Sequence, residues 1–124
     1  YGTENFPAFY IRESGYKVDY RVDNPAEIAK ALKVKWDLGL KGGMVIANPI
    51  PEEFEMDNKY ISEVIDEAVE SAEKEGVKGK GITPYVLARL HNKTGDKSLF
   101  ANKELVYNNV RLAAQIAIEY ANLK

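Results

Sequence analysis

The sequence predicts an α/β protein in which helix outweighs strand, on three observations. Helix starts recur along the chain, at Asn24-Pro25-Ala26-Glu27, at Asp57 and at Thr83-Pro84. A short run that is apolar on both faces, Met44 to Ala47, has the character of a covered central strand. Lys17 to Asp23 alternates apolar and polar residues, which places Val18, Tyr20 and Val22 on one face at the period of a half-buried strand.

Each element follows from local chemistry. Residues 1 to 15, YGTENFPAFYIRESG, are aromatic and rich in turn formers. Pro7 disfavours helix at Phe6, and Ala8 to Arg12 leave room for one short turn before Gly15. After the strand at 17–23, Asn24 caps a helix, Pro25 fits its first position, and Glu27 is placed to close a capping box. Ile28, Ala31, Leu32 and Trp36 continue at helical spacing, and Gly39 is the stop. Gly42-Gly43 release the chain into Met44 to Ala47. Asn48-Pro49 end that segment, because proline cannot donate to a sheet ladder. Ile50 then stands between two prolines, followed by Glu52-Glu53.

Asp57 caps a helix predicted over Asn58 to Glu75, with Ile61, Val64, Ile65, Ala68 and Ala72 inward and Gly76 at its end. VKGKGI is a turn. Thr83-Pro84 open a helix through Asn92 that is apolar at Val86, Leu87 and Leu90. Thr94-Gly95-Asp96 break it, and Ser98 begins a last helix running almost to Lys124. Two strands do not make a stable sheet in water, so further strands are expected from elsewhere. With Tyr rather than Met at position 1, the chain reads as the helical tail end of a larger α/β domain.

Bulk properties narrow the function. A length of 124 residues suits one domain. The net charge of −2, with scattered Lys and Arg, argues against nucleic acid as a partner, since no basic excess exists to displace phosphate counterions. The absence of cysteine removes disulfides and thiolate chemistry. The longest apolar run falls far short of the roughly 20 residues of a membrane span, and no signal-peptide pattern opens the chain.

Candidates for chemistry are few. His91, the one histidine, has no ligand-spaced companion and reads as a helix-terminal cation. Glu52 and Glu53 could form an acid/base pair, but acids in a turn before a helix are usually solvated. Lys80, between two glycines, could cradle a phosphate or form a Schiff base; a lysine in an exposed turn is usually just solvated. Tyr85 and Tyr107 read as aromatics at the edge of the core. GLKGG and VKGKG are too short and loose for a nucleotide loop.

The last helix carries the sharpest anomaly. Its apolar stripe is read as Leu99, Leu105, Val106, Ala113, Ile116 and Tyr120. At about 100° per residue, Asn102 and Asn109 fall on that stripe and Asn108 points away. A buried amide without partners costs roughly 1–3 kcal/mol, so each of the two needs a defined partner: a backbone carbonyl or neighbouring loop, or a polar ligand.

FPAFYIRESGYKVDYRVDNPAEIA, MVIANPIPEEFEM, GITPYVLARL and TGDKSLFANKELVYNNVRLAAQIA, in that order, resemble the C-terminal part of the pseudouridine-5′-phosphate glycosidase family, which includes the indigoidine synthase A-like proteins. The resemblance extends over essentially the whole chain and over roughly the last two-fifths of a typical member. It implies that residues 1–124 form the C-terminal, helix-rich part of a single three-layer α/β/α domain with a mixed sheet. It further implies a cytoplasmic homotrimer of nucleotide metabolism that uses manganese or another divalent metal. Such an enzyme cleaves pseudouridine 5′-phosphate reversibly to uracil and ribose 5-phosphate.

The family's covalent lysine, proton-donating glutamate and metal-binding aspartate have no counterpart here, and all three are expected upstream of Tyr1. By itself the chain is therefore expected to be inactive. One family residue carries over, an asparagine of the SL..N motif that faces the pyrimidine end of the substrate. Its match is Asn102, and Asn109 is then read as the structural amide. Ligands of open α/β sheets gather beyond strand carboxyl ends, which puts Ala47 to Pro51 at the border of the pocket. The alternative is a non-catalytic split-gene or assembly module that pairs with a partner chain, and an enzyme of the same fold acting on another sugar phosphate is a third reading.

Overall fold

A computed structural model describes residues 1–123. They form four α-helices, α1 (Pro25–Asp37), α2 (Asn58–Lys74), α3 (Ile82–Thr94) and α4 (Asp96–Asn122), with single 3₁₀ turns at Glu52–Phe54 and Gly79–Gly81. Asn24 and Asp57 cap α1 and α2 as read from the sequence, but among the described residues the Glu27 carboxylate takes no bond from the Asn24 N–H, so the capping box does not close. Asn24 accepts a hydrogen bond from the Ala26 backbone N–H at 2.9 Å, and Asp57 accepts one from the Tyr60 N–H at 2.7 Å. The helix stops are also as read. At the end of α2, Gly76 takes φ 72°, so its N–H reaches Glu73 O at 3.0 Å and the Val77 N–H reaches Ala72 O at 2.9 Å. These two bonds satisfy carbonyls that α2 leaves open, and Gly39 ends α1 in the same way. α3 and α4 differ at their starts. α3 begins at Ile82, with Gly81 in the cap position and no side-chain cap, and α4 begins at Asp96 straight after Gly95.

Both predicted strands are absent from the described residues. Segment 16–22 instead runs antiparallel to segment 2–6, joined by Phe6 N–H to Tyr16 O at 2.9 Å, Val18 N–H to Glu4 O at 3.0 Å and Gly2 N–H to Val22 O at 2.8 Å. That pairing amounts to one isolated bridge, Asn5 to Lys17. Met44 to Ala47 was expected to be a covered strand, yet Val45 is 84% exposed and Met44 is exposed too. A strand exists only through its neighbours, and among the described residues the one hydrogen bond to this run reaches Ala47 O from the Tyr1 amine.

The helices gather around two apolar clusters. The larger holds Tyr10, Ile11, Ile50, Ile61, Val64, Leu90, Ala101 and Leu105, and so joins α2, α3 and the first half of α4. The smaller holds Ile28, Leu112 and Ile116, with Val22, Leu32 and Ile46 packed against it. It seats α1 on the second half of α4. Every inward position predicted for α2 is buried or half-buried. On α4 the buried stripe is Ser98, Ala101, Leu105, Leu112 and Ile116. Leu99, Val106, Ala113 and Tyr120, expected inside, are exposed. They line an apolar second flank, which the sequence alone does not distinguish from the buried one.

Candidate functional site

The proline-bracketed segment at 48–51 is where two asparagines of α4, Asn108 and Asn109, meet the rest of the chain. Ile50 is fully buried in the larger cluster. Three side chains hold the backbone on either side of it. Asn108 donates through Nδ2 to Pro49 O at 3.0 Å. Asn48 donates through Nδ2 to Asn109 Oδ1 at 3.0 Å. Arg12 donates through Nη1 to Ile50 O at 2.5 Å. The prolines suit this role: they fix φ and carry no N–H that would need a partner, so at Pro49 the carbonyl is the one backbone group to satisfy.

This arrangement corrects the assignment of two asparagines. Asn108, expected to point away, is half-buried and bonded to the backbone of buried Pro49, while Asn109 is exposed and pairs with a side chain. The buried face of α4 is rotated relative to the predicted stripe, and that rotation moves Asn108 inward and Asn109 outward. Asn102 is half-buried, between buried Ala101 and Leu105 on one side and exposed Leu99 and Val106 on the other. Asn108 and Asn109 have protein partners; the Asn102 carboxamide has none among the described residues.

The other candidates are dispersed. Glu52 and Glu53 are exposed in the 3₁₀ turn, Lys80 is exposed in the turn before α3, and His91 is exposed on α3. Tyr85 donates its hydroxyl to Glu75 Oε1 at 2.6 Å and accepts from Arg89 Nη2 at 2.8 Å, which ties α3 to the end of α2. Tyr107 is exposed. Burial raises the phenol pKa of Tyr10 above its ordinary value. Among the described residues no three His, Asp or Glu side chains converge to hold a cation, so the side chains present do not fit a metal centre. Sequence reasoning missed the contacts that Arg12, Asn48 and Asn108 make. Their partners lie 38 to 61 residues away, and no local pattern signals such contacts.

Two solved structures contain this arrangement of helices and connecting segments. The prealnumycin C-glycosynthase AlnA, in complex with ribulose 5-phosphate, superimposes with a TM-score of 0.83 and is 26% identical, over 97% of this chain and 39% of that one. An indigoidine synthase A-like protein from Thermotoga maritima MSB8 gives a TM-score of 0.81 and 32% identity, over 96% and 39% of the two chains. The family model described as Indigoidine synthase A like protein matches residues 1–119, and the chain belongs to that family. Among the relatives are the pseudouridine-5′-phosphate glycosidases of Brachyspira hyodysenteriae, 61% identical over 123 residues, and Clostridium botulinum, 58% identical over 123 residues. In both cases the alignment takes in 99% of this chain and 40% of the relative. The chain thus spans about two-fifths of the length of the curated relatives it matches.

Proposed function

We propose that this chain works as the C-terminal portion of a pseudouridine-5′-phosphate glycosidase, releasing uracil and ribose 5-phosphate reversibly from pseudouridine 5′-phosphate. The observation that carries the reading is the 61% identity to the Brachyspira hyodysenteriae glycosidase across nearly the whole chain. A C–C glycosidic bond has no heteroatom leaving group, so its cleavage calls for an electron sink such as a lysine imine on the opened sugar. In this reading the lysine, the acid and the metal-binding aspartate belong to residues beyond these 124, as do the manganese or other divalent ion and the sheet of a three-layer α/β/α domain. The assembled enzyme is a cytoplasmic homotrimer.

Within this chain the substrate-binding residue is Asn102. A carboxamide offers one acceptor oxygen and two N–H donors, the complement of a pyrimidine imide edge. Its position at the margin of the buried stripe, without a protein partner, supports that role. The test is uracil release from pseudouridine 5′-phosphate by a chain carrying the relatives' full length. Asn102→Ala is expected to lower kcat/KM by about tenfold or more, the size of a hydrogen bond lost to a ligand, while Asn109→Ala stays near the parent. An effect of N102A no larger than that of N109A removes Asn102 from the site. The 124-residue chain is expected to be inactive by itself, and uracil release by it would overturn the division of labour.

The likeness to AlnA favours a second reading, an enzyme of the same fold joining or parting a sugar phosphate and a different aglycone. Presenting the full-length chain with ribose 5-phosphate and other aromatic acceptors in place of uracil separates the two.

A further inference from the structure

Among the described residues a left-handed φ is taken by seven glycines and by one other residue, Phe9, at 64°. Across Phe9 the Tyr10 N–H donates to Ala8 O at 2.7 Å, which closes the γ-turn of positive φ, the rare and strained form. The Ala8 N–H donates to Ile11 O at 2.9 Å, so Phe9 and Tyr10 make a two-residue link whose first position favours glycine. The surroundings hold this turn in place. Tyr10 and Ile11 are buried in the larger cluster, and Tyr10 O accepts the Met56 N–H at 2.9 Å. The Phe9 ring itself belongs to neither cluster; it rests on the Tyr10 ring, with centroids 4.9 Å apart. Glycine would make the same turn without strain. The backbone gains nothing from a benzyl group at this position, so what the position supplies is the ring. Strain held by a rigid setting is a mark of segments that grip ligands.

We propose that Phe9 is a specificity-determining residue that stacks its ring on the pyrimidine of the substrate, an inference that rests on the glycosidase reading. The shared core links it to that end of the substrate. Tyr10 belongs to one cluster with Ala101 and Leu105, the buried residues that flank Asn102 along α4. Asn102 reads the polar edge of the base, and Phe9 covers its face. Stacking on an aromatic side chain strengthens the hold on a base roughly 5- to 150-fold, a gain that can offset a strained turn.

The experiment compares Phe9→Gly, Phe9→Leu and Phe9→Tyr in a chain carrying the relatives' full length, by thermal unfolding and by kinetics in the direction of synthesis. Phe9→Gly relaxes the turn and is expected to keep Tm or raise it by up to about 4 °C. Its KM for uracil is expected to rise about tenfold or more, while KM for ribose 5-phosphate stays within about twofold of the parent. Phe9→Leu keeps the strain and most of the bulk without a π face, so it shows the same rise in the uracil KM with Tm near the parent. Phe9→Tyr keeps the parent's values. A clear fall in Tm for Phe9→Gly means that the ring serves packing, and it overturns the proposal. So does a uracil KM left unchanged by Phe9→Gly and Phe9→Leu, or an equal rise in both KM values. With an active parent these outcomes count against Phe9 alone; a parent that neither releases nor takes up uracil overturns the glycosidase reading and this inference with it.

Discussion

Truncating Asn108 to alanine is the sharpest test of how α4 grips the 48–51 segment. The side chain is half-buried and its Nδ2 is 3.0 Å from the carbonyl oxygen of buried Pro49. Asn108→Ala deletes that donor while the carbonyl stays where Ile50, fully buried one residue on, fixes it. An acceptor stranded in the interior costs about 1–3 kcal/mol. Here Pro49 and Asn108 both line an open cavity of about 320 Å³, so water can take the place of the amide, and the lower end, about 1 kcal/mol, applies. That corresponds to a fall in Tm of about 4 °C for a chain of this size. Asn109→Ala removes only an exposed side-chain pair, and Asn102→Ala removes no bond to the described residues; both belong within about 0.5 kcal/mol of the parent. Urea unfolding of the three variants, with unchanged m-values, gives the comparison. If N108A proves no more costly than N109A, the clamp on Pro49 contributes nothing and the argument from its carbonyl fails.

Two further outcomes follow from the cores. Leu90 has no exposed surface and packs in the larger cluster, so Leu90→Ala is expected to cost about 2–5 kcal/mol; a loss under about 1 kcal/mol in urea unfolding means that α2, α3 and α4 do not share a core. Burial holds the Tyr10 phenol pKa above its usual value, so the folded protein keeps that proton longer than the unfolded chain does. The resulting stability is fully present below the ordinary tyrosine pKa, about 10, and is lost as pH rises through the higher folded value. Ultraviolet titration should show a late-ionising tyrosine that disappears in Tyr10→Phe; a titration identical in the two proteins refutes the assignment.

Helix was legible in the residues because its signals are local. Asn24-Pro25, Asp57, Gly39 and Gly76 act within a turn of themselves, and Ile61, Val64, Ala68 and Ala72 repeat at a period that leaves one choice of inner face. The strands at 17–23 and 44–47 were misread because alternation and apolarity describe what a strand offers, while a ladder also needs a neighbour. α4 failed differently. It carries apolar residues on two adjoining flanks, so periodicity could not say which is inside, and the error fell on Asn108 and Asn109. The Asn102 position came from a motif resemblance and a stripe that was itself rotated. Arg12 left no trace in the sequence, since a guanidinium aimed at a carbonyl 38 residues away looks like any surface arginine.

The junction at Gly95 turns α4 into a lever. A single residue, at φ 61° and ψ −146°, separates α3 from α4, in a region of backbone space that is close to glycine's alone. The direction of a helix of 27 residues therefore hangs on two torsion angles. With a rise of about 1.5 Å per residue, a 10° error in that direction moves the backbone by roughly 2 Å at Asn102, 3 Å at Asn108 and 7 Å at the far end. A hydrogen bond tolerates a few tenths of an ångström. A substitution at Gly95 thus sets the exit of α4 against the packing that seats it on Ile50 and α1, and strains Pro49 and Arg12 without touching either of them.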